Sequence, residues 1–255
     1  MPKNNWSREE LILAFNLYCK VTFTKINASN KQIKAFALLI GRSNAAVALK
    51  LANFARLDPA LQKRGVSGMG HGSKGEEVIW EEFNNNWDKL AYESEFLLAQ
   101  HKHVPVEDIS DIDEIKITKE GIDREALVKI RVNQGFFRST VLCSYENKCC
   151  ITGISIPQLL VASHIIPWSV DTVNRVNPHN GLCLNALHDK AFDKGLITIT
   201  PDYKLKVSPL LLESKKTETL GFILNVHNKD IIKPTRFVPV REFLEYHNEK
   251  VFKKS

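Results

Sequence analysis

Hydrophobic positions in the first 60 residues recur every three to four residues, which is the spacing of one face of a helix. The turn between the second and third of these segments holds Gly41, a residue that ends helices, and Ser43, which can cap the next one. The pattern therefore predicts three short helices, the last two joined by a tight turn. The segments are WSREELILAFNLYCK (6–20), KQIKAFALLI (31–40) and NAAVALKLANFARL (44–57).

Two helices joined by a short turn that contains glycine, after a first helix opened by Trp6, are similar to a Myb/SANT-like or helix-turn-helix module over residues 6–58. In that interpretation Arg42, Asn44 and Lys50 face DNA. An ordinary three-helix bundle is an equally open interpretation, because the third segment is rich in alanine and leucine.

The apolar stripe of residues 76–101 again predicts helix, whereas residues 104–125 are acidic and poorly periodic. We therefore expect a helical domain over residues 1–100 and an acidic linker over 101–127. A second domain then follows over 128–255.

The second half of the chain contains both segments with the hydrophobic spacing of helices and segments with the spacing of strands, so the predicted fold class is α+β. The predicted elements are a helix at 134–145, a short strand around Cys150–Ile151, a strand-like run at 159–166, a loop at 169–181, a helix within 182–195 closed by Gly195, and a hairpin at 196–208 with its turn at Pro201–Asp202.

Charge is segregated along the chain, and this changes the range of expected partners. The net charge is +9 over residues 1–75, −10 over 76–123 and +7 over 124–255. Two basic blocks around an acidic one favour two polyanion-binding units, although ordinary solvated surface is the alternative. No apolar run approaches a membrane span, and the N-terminus has no apolar signal core. We therefore expect a cytoplasmic protein with reduced cysteines and no membrane partner.

Three polar residues stand in an informative order in the second half. His164 ends a strand-like run, Asn180 follows 16 residues later in the loop, and His188 lies 8 residues further on in a helix. With VASHIIPW, NGL and HDKAFDKG around them, residues 131–200 resemble the HNH endonucleases, whose fold is a ββα-metal domain.

The resemblance implies a role for each residue. His164 would accept the proton of the attacking water, and Asn180 would keep His164 aligned from across the loop. His188 and Asp189 would hold a divalent metal ion. Mg²⁺ suits an oxygen-rich site with phosphate, and an imidazole ligand also tolerates Mn²⁺, Ni²⁺ or Zn²⁺. Ser163 departs from the family, in which Asp or His often precedes the base.

A metal-dependent DNA endonuclease is the function that this resemblance implies, with a role in restriction or anti-phage defence and target selection by the N-terminal helices. Its further partners would be a second copy of the chain and a protein of a defence system. Two alternatives stay open: an effector subunit activated by a partner or ligand, and a non-catalytic DNA-binding protein with a degraded site. In the C-terminal half the candidate DNA contacts are Arg131, Arg138, Arg175 and Lys194.

Overall fold

The computed structural model describes residues 5–65, 72–108, 124–214 and 217–254. The chain divides into two compact units, Met1–Cys143 and Ser144–Ser255. Within the described residues no single helix is long and apolar enough to cross a membrane. Helices Lys31–Ile40 and Asn44–Leu57 reach that length and composition only when taken together, and they are bent by 109°.

The first unit is helical throughout its described residues. Ser7 caps the first helix and shares a capping box with Glu10, so the helix begins at Arg8. Gly41 adopts φ 68° and ends the second helix, and the bounds predicted for the second and third helices are confirmed. The helices are α1 Arg8–Lys20, α2 Lys31–Ile40, α3 Asn44–Leu57, α4 Pro59–Gln62, α5 Lys74–Phe83, α6 Trp87–Lys102 and α7 Arg124–Ser144, whose last residue already belongs to the second unit.

Aromatic side chains form the core of the first unit around α1, which packs against α3, α5 and α6. The ring of Phe15 lies 4.9 Å from that of Phe54, 5.2 Å from that of Trp80 and 6.3 Å from that of Trp87. The apolar stripe predicted over 76–101 thus meets α1 with two separate helices.

The second unit begins 16 residues later than the predicted domain start at 128, because α7 belongs to the first unit up to Cys143. This helix also begins at Arg124, ten residues before the predicted helix. Most of the predicted linker, residues 109–123, lies outside the described residues.

The second unit contains two antiparallel strand pairs among its described residues. In the first pair, His164 faces Gly181 and Leu160 faces Asn185, and a helix follows directly after Asn185. The second pair is the predicted hairpin, which is confirmed. The elements are β1 Leu160–His164, β2 Gly181–Asn185, α8 Ala186–Asp193, β3 Ile197–Ile199, β4 Leu205–Val207, α9 Pro209–Leu212, α10 Glu218–Leu224, α11 Arg241–Tyr246 and a π-helical turn His247–Val251.

One local prediction in this unit is wrong. Cys150 and Ile151 form a turn instead of a strand, because Cys150 N–H donates to Cys183 O (2.7 Å) and the chain then reverses through Gly153 at φ 74°. The helix predicted within 182–195 begins at Ala186, and the residues before it, Gly181–Asn185, form β2. Every residue of β2 is buried, so β2 lacks the polar alternation that marks a half-buried strand. The predicted α+β class is confirmed.

The C-terminal segment packs closely on the end of α8. Gly195 has φ 68°, and a β-carbon there would collide with the carbonyl oxygen of Val251. Lys253 N–H donates to Gly195 O (2.9 Å). Residues 50 or more positions later in the chain therefore fix the end of the helix that follows β2.

Candidate active site

His164 ends β1 and is half-buried beside the long loop that leads to β2. Its Nε2 lies 2.9 Å from the carbonyl oxygen of Arg175. A carbonyl can only accept, so Nε2 carries the hydrogen, and in the neutral ring Nδ1 is the nitrogen that can take a proton. Burial lowers the pKa of His164 below 6.5, and the Arg175 carbonyl and the Asp189 charge oppose that change. The imidazole is thus neutral near pH 7, as a base must be.

Asn180 is fully buried and holds the two ends of this loop together. Its Oδ1 accepts from Ile166 N–H (2.8 Å), and its Nδ2 donates to Ile166 O (3.2 Å) and to Asn174 O (3.3 Å). Ile166 lies two residues after His164, and Asn174 directly precedes Arg175, whose carbonyl bonds the imidazole. The Asn180 amide therefore links both chain segments that orient His164.

Side chains within the loop hold the Arg175 carbonyl, which bonds the imidazole of His164, in place. Asp171 accepts hydrogen bonds from the backbone of Val173 and Asn174 (both 3.0 Å). Arg175 donates from Nε to Trp168 O (2.8 Å), and its guanidinium lies 5.2 Å from the Trp168 ring centroid. The Trp168 ring in turn meets the His164 ring edge-on at 5.4 Å. The loop is thus a hydrogen-bonded frame around the imidazole.

His188, expected to hold the metal, lies in the interior of the second unit. It is fully buried, with Nδ1 2.8 Å from Asn185 Nδ2 and Nε2 3.3 Å from Phe222 O. It also contacts the Cys149 thiol. Burial raises the pKa of that thiol, but hydrogen bonds to His188 and Thr152 outweigh burial and lower it to about 7. The imidazole of His188 therefore serves interior contacts.

Asp189 and Asp193 lie on another side of α8 and line a cleft together with His164. Partial burial raises the pKa of Asp189 above 3.8, against the effects of Ser163, Lys190 and His164. Partial burial also raises the pKa of Asp193, and the charge of Asp189 raises it further. The two carboxylates thus repel each other at the cleft wall.

Ser163, the departure from the family pattern, also lines the cleft. Its Oγ is buried and makes no hydrogen bond of normal geometry among the described residues. It nevertheless lies close enough to the Asp189 carboxyl group to lower its pKa. Two carboxylates and a hydroxyl are the oxygen ligands that suit Mg²⁺, which keeps several waters and uses one or two carboxylates plus substrate phosphates.

The cleft has a volume of about 480 Å³ and lies between β1, α8, the start of the loop and the π-helical turn. Among the described residues, no three His, Cys, Asp or Glu side chains are grouped so that they could hold a metal ion. A metal bound here would therefore depend on water and substrate oxygens for the rest of its ligands.

The basic residues expected to face DNA from α2 and α3 are engaged within the first unit. Arg42 pairs with Glu10 through Nη2 (2.6 Å) and Nε (3.1 Å), and its guanidinium lies 4.3 Å from the Trp6 ring centroid. Lys50 is buried in an ion pair with Glu76, whose side chain is fully buried. Both cations neutralise carboxylates inside the unit.

The remaining expected contacts differ in availability. Asn44 is half-exposed at the first position of α3. Arg131 and Arg138 are exposed, two turns apart on the same side of α7, and form no ion pair among the described residues. Arg175 is bound to the loop through Trp168, as described above.

Several site residues were not assigned a role from the sequence, or were assigned a different one. Asp193 lies four residues after Asp189, a spacing that places both on one side of a helix and could have indicated a shared site. Lys190, in the same HDKAFDK stretch, is exposed at the cleft. His247 lines the cleft from a distant segment, and no sequence signal indicates that placement.

Comparison with known proteins supports the expected family. A sequence model described as HNH endonuclease matches residues 149–200, which include β1, β2, α8 and β3. No curated protein matches the chain. HNH nucleases act on DNA and generally use a divalent metal ion. Residues 149–200 of this chain therefore form a domain of the HNH endonuclease family.

Proposed function

We propose that this protein is a metal-dependent DNA endonuclease that hydrolyses phosphodiester bonds in the cleft between β1 and α8. The observation that carries the proposal is the convergence of a neutral, oriented His164 and two carboxylates on one cleft within the family match. We also propose a role in restriction or anti-phage defence, which the resemblance of the sequence supports. A cytoplasmic location is proposed because all five cysteines are free thiols and none forms a disulfide.

His164 acts as the general base in this proposal. The Arg175 carbonyl holds the Nε2–H, so Nδ1 accepts the proton of the attacking water. Asn180 is a positioning residue, because it fixes the segments on either side of the imidazole without reaching the cleft surface. Removing general-base help typically costs about 10²- to 10⁴-fold in rate.

Asp189 and Asp193 hold the divalent ion in this proposal, in place of the expected pair His188 and Asp189. Their mutual repulsion favours a cation, and Ser163 adds a third oxygen. Mg²⁺ fits these hard oxygen ligands better than Ni²⁺ or Zn²⁺, and Mn²⁺ remains an alternative ion. When bound, the ion stabilises negative charge on the phosphate and the leaving oxygen.

A single site cuts one strand, so we expect nicking first and double-strand breaks through a second event or a second copy of the chain. One observation favours a subordinate effector subunit as the second candidate function. Arg42 and Lys50, the two cations expected to bind DNA from the helix-turn-helix-like segment, are both paired with buried glutamates. A partner or ligand would then select the target.

Incubation of the purified protein with supercoiled plasmid and Mg²⁺ or Mn²⁺ tests the activity. We expect nicking that falls by about 10²- to 10⁴-fold in His164→Ala. His101→Ala, which removes an exposed histidine at the end of α6, is the matched control and should nick like the wild type. An inert wild type across metals and plasmid, phage, methylated and unmethylated DNA would contradict a stand-alone enzyme, and activity restored by a partner would support the effector subunit.

A further inference from the structure

The stretch that carries the two cleft carboxylates also carries two lysines, Lys190 in α8 and Lys194 at its C-cap. The stretch DKAFDK repeats an Asp–Lys pair after four residues, so Lys190 and Lys194 follow Asp189 and Asp193. Residues four apart on a helix are neighbours along one strip. Both lysines are exposed and both line the cleft. The cleft thus has a strip of two carboxylates and a parallel strip of two ammonium groups.

Neither lysine is consumed by a neighbouring acid. Among the described residues, Lys190 and Lys194 form no ion pair, whereas Lys20, Lys50 and Lys89 each pair with a glutamate. Lys190 acts on Asp189, and both lysines act on Asp193, through charge alone, without the close contact of an ion pair. The ammonium groups therefore keep their hydrogen-bonding capacity toward the cleft.

The rest of the cleft is poorly suited to reading bases. Its apolar lining consists of Val161, Ala162, Ile165, Pro167, Trp168 and Val251. Its lining within the described residues contains no Asn, Gln or Arg, the side chains that most often bond base edges in pairs. The polar groups on offer suit phosphate oxygens, and the apolar wall suits sugar and base surfaces.

From this arrangement we infer that Lys190 and Lys194 bind the backbone phosphates that flank the cleaved bond, so that the cleft holds a nucleic-acid strand by its backbone and independently of sequence. This inference rests on the proposed nuclease function. Phosphate contacts position a strand without reading it, and they make binding depend on salt.

The test measures DNA binding by the full chain in a His164→Ala background, so that the DNA stays intact. Binding of two short duplexes of unrelated sequence is titrated across salt concentrations at one fixed Mg²⁺ concentration. Each lysine-to-glutamine change should reduce the slope of log K against log salt by about 1, and Lys190→Gln with Lys194→Gln by about 2, equally on both duplexes. Lys229→Gln, an exposed lysine outside the cleft lining, should leave the slope unchanged.

A second measurement distinguishes phosphate binding by the lysines from an effect of the lysines on Mg²⁺ binding by Asp189 and Asp193. Without DNA, calorimetry should show Mg²⁺ binding in the double variant as tight as in the His164→Ala parent or tighter, because two nearby positive charges are gone. A double-variant slope equal to that of Lys229→Gln would overturn the inference, and so would an effect limited to one duplex. Because cleavage is not the readout, these results differ from failure of the proposed function, which an inert wild type would show.

Discussion

The side of α8 on which a residue stands decides whether it meets the cleft or the interior. His188 and Asp189 are neighbours in sequence but point about 100° apart on the helix. His188 contacts Asn185 and Cys149 in the interior, whereas Asp189 meets Ser163 at the cleft. Under the proposed function, the carboxylates would hold the metal and the imidazole would support the helix.

Substitution separates these two roles. Loss of a residue that only supports a metal ligand typically weakens metal binding by about 10- to 100-fold. Asp189→Asn and Asp193→Asn remove ligands themselves, so each should weaken Mg²⁺ binding by at least that much. His188→Gln should keep Mg²⁺ affinity within a few-fold, but it should lower the free energy of unfolding by about 1–3 kcal/mol for each buried partner left without its hydrogen bond. Calorimetric Mg²⁺ titration and chemical denaturation of the same preparations measure both quantities.

The reverse pattern would contradict this assignment. If His188→Gln abolished Mg²⁺ binding in a protein of normal stability while both aspartate variants bound normally, His188 would be the ligand that the sequence resemblance implied.

The spacing of His164 and Asn180 was enough to predict a strand and a loop that meet at one point, since both residues adjoin the β1–β2 pair. Helical periodicity also shows that Asp189 and Asp193 share one side of α8. It does not show which side faces the cleft, because that depends on how α8 packs on β1 and β2. His247 lies 59 residues after His188 in the chain, so only the tertiary fold brings it to the cleft.

At the scale of elements, the π-helical turn supports the end of α8. The ring of His247 stacks on that of Phe192 at 3.6 Å, with 11° between the planes. Its Nδ1 lies 2.8 Å from Thr198 Oγ1, and its Nε2 lies 3.2 Å from Phe192 O. Phe192 directly precedes Asp193, so this contact fixes the turn that presents a cleft carboxylate.

Burial lowers the pKa of His247 from 6.5 to about 4. Between those values the unfolded chain holds a proton that the folded chain does not, so stability rises with pH across that window. The contribution is present above pH 6.5 and is lost as pH falls to about 4, an expected change of about 3 kcal/mol. Denaturation of wild type and His247→Phe at several pH values checks it.

The phenylalanine variant keeps an aromatic ring on Phe192 but cannot titrate, so its stability should change less with pH in this window. Its absolute stability also falls through the lost hydrogen bonds, which makes the slope the informative quantity. Equal slopes in wild type and variant would refute the role assigned to His247.

For the whole molecule, net charge by segment is a poor guide to which cations are available. Residues 1–75 carry a net charge of +9, yet Arg42 and Lys50 neutralise buried glutamates and Arg56 pairs with Glu77 at 2.9 Å. Sequence composition counts these cations, but only the packing of the α2–α3 turn on α1 and of α3 on α5 shows that they are used internally. Lys190 and Lys194, by contrast, belong to the stretch 189–194, whose two lysines and two aspartates give no net charge.

The pair Lys50–Glu76 links α3 to α5 and should contribute to the acid sensitivity of the first unit. Burial raises the pKa of Glu76, but hydrogen bonds from Lys50, Ser73 and Asn53 outweigh burial and lower it below 4.5. The stabilisation is present above pH 4.5 and is lost as pH falls through the lower folded pKa. Glu76→Gln leaves Lys50 buried without its counter-charge, which should cost about 3–5 kcal/mol near pH 7.

Chemical denaturation followed by tryptophan fluorescence measures this loss, since three of the four tryptophans belong to the first unit. Replacing both partners, as Lys50→Met with Glu76→Leu, is the control and should cost less than Glu76→Gln alone. A Glu76→Gln protein as stable as the wild type would show that the pair does not support the unit.

The contact between Gly195 and Val251 limits how this nuclease can be transplanted. The family match ends at residue 200, but the carbonyl oxygen that occupies the space above Gly195 comes from residue 251. A chimaera that joined only residues 149–200 to a foreign targeting protein would lack the segment that packs on Phe192 and Gly195. The C-terminal end of α8, which carries the two carboxylates, would then lose its packing partners. A transferable cassette has to extend at least through Lys253, whose N–H bonds Gly195.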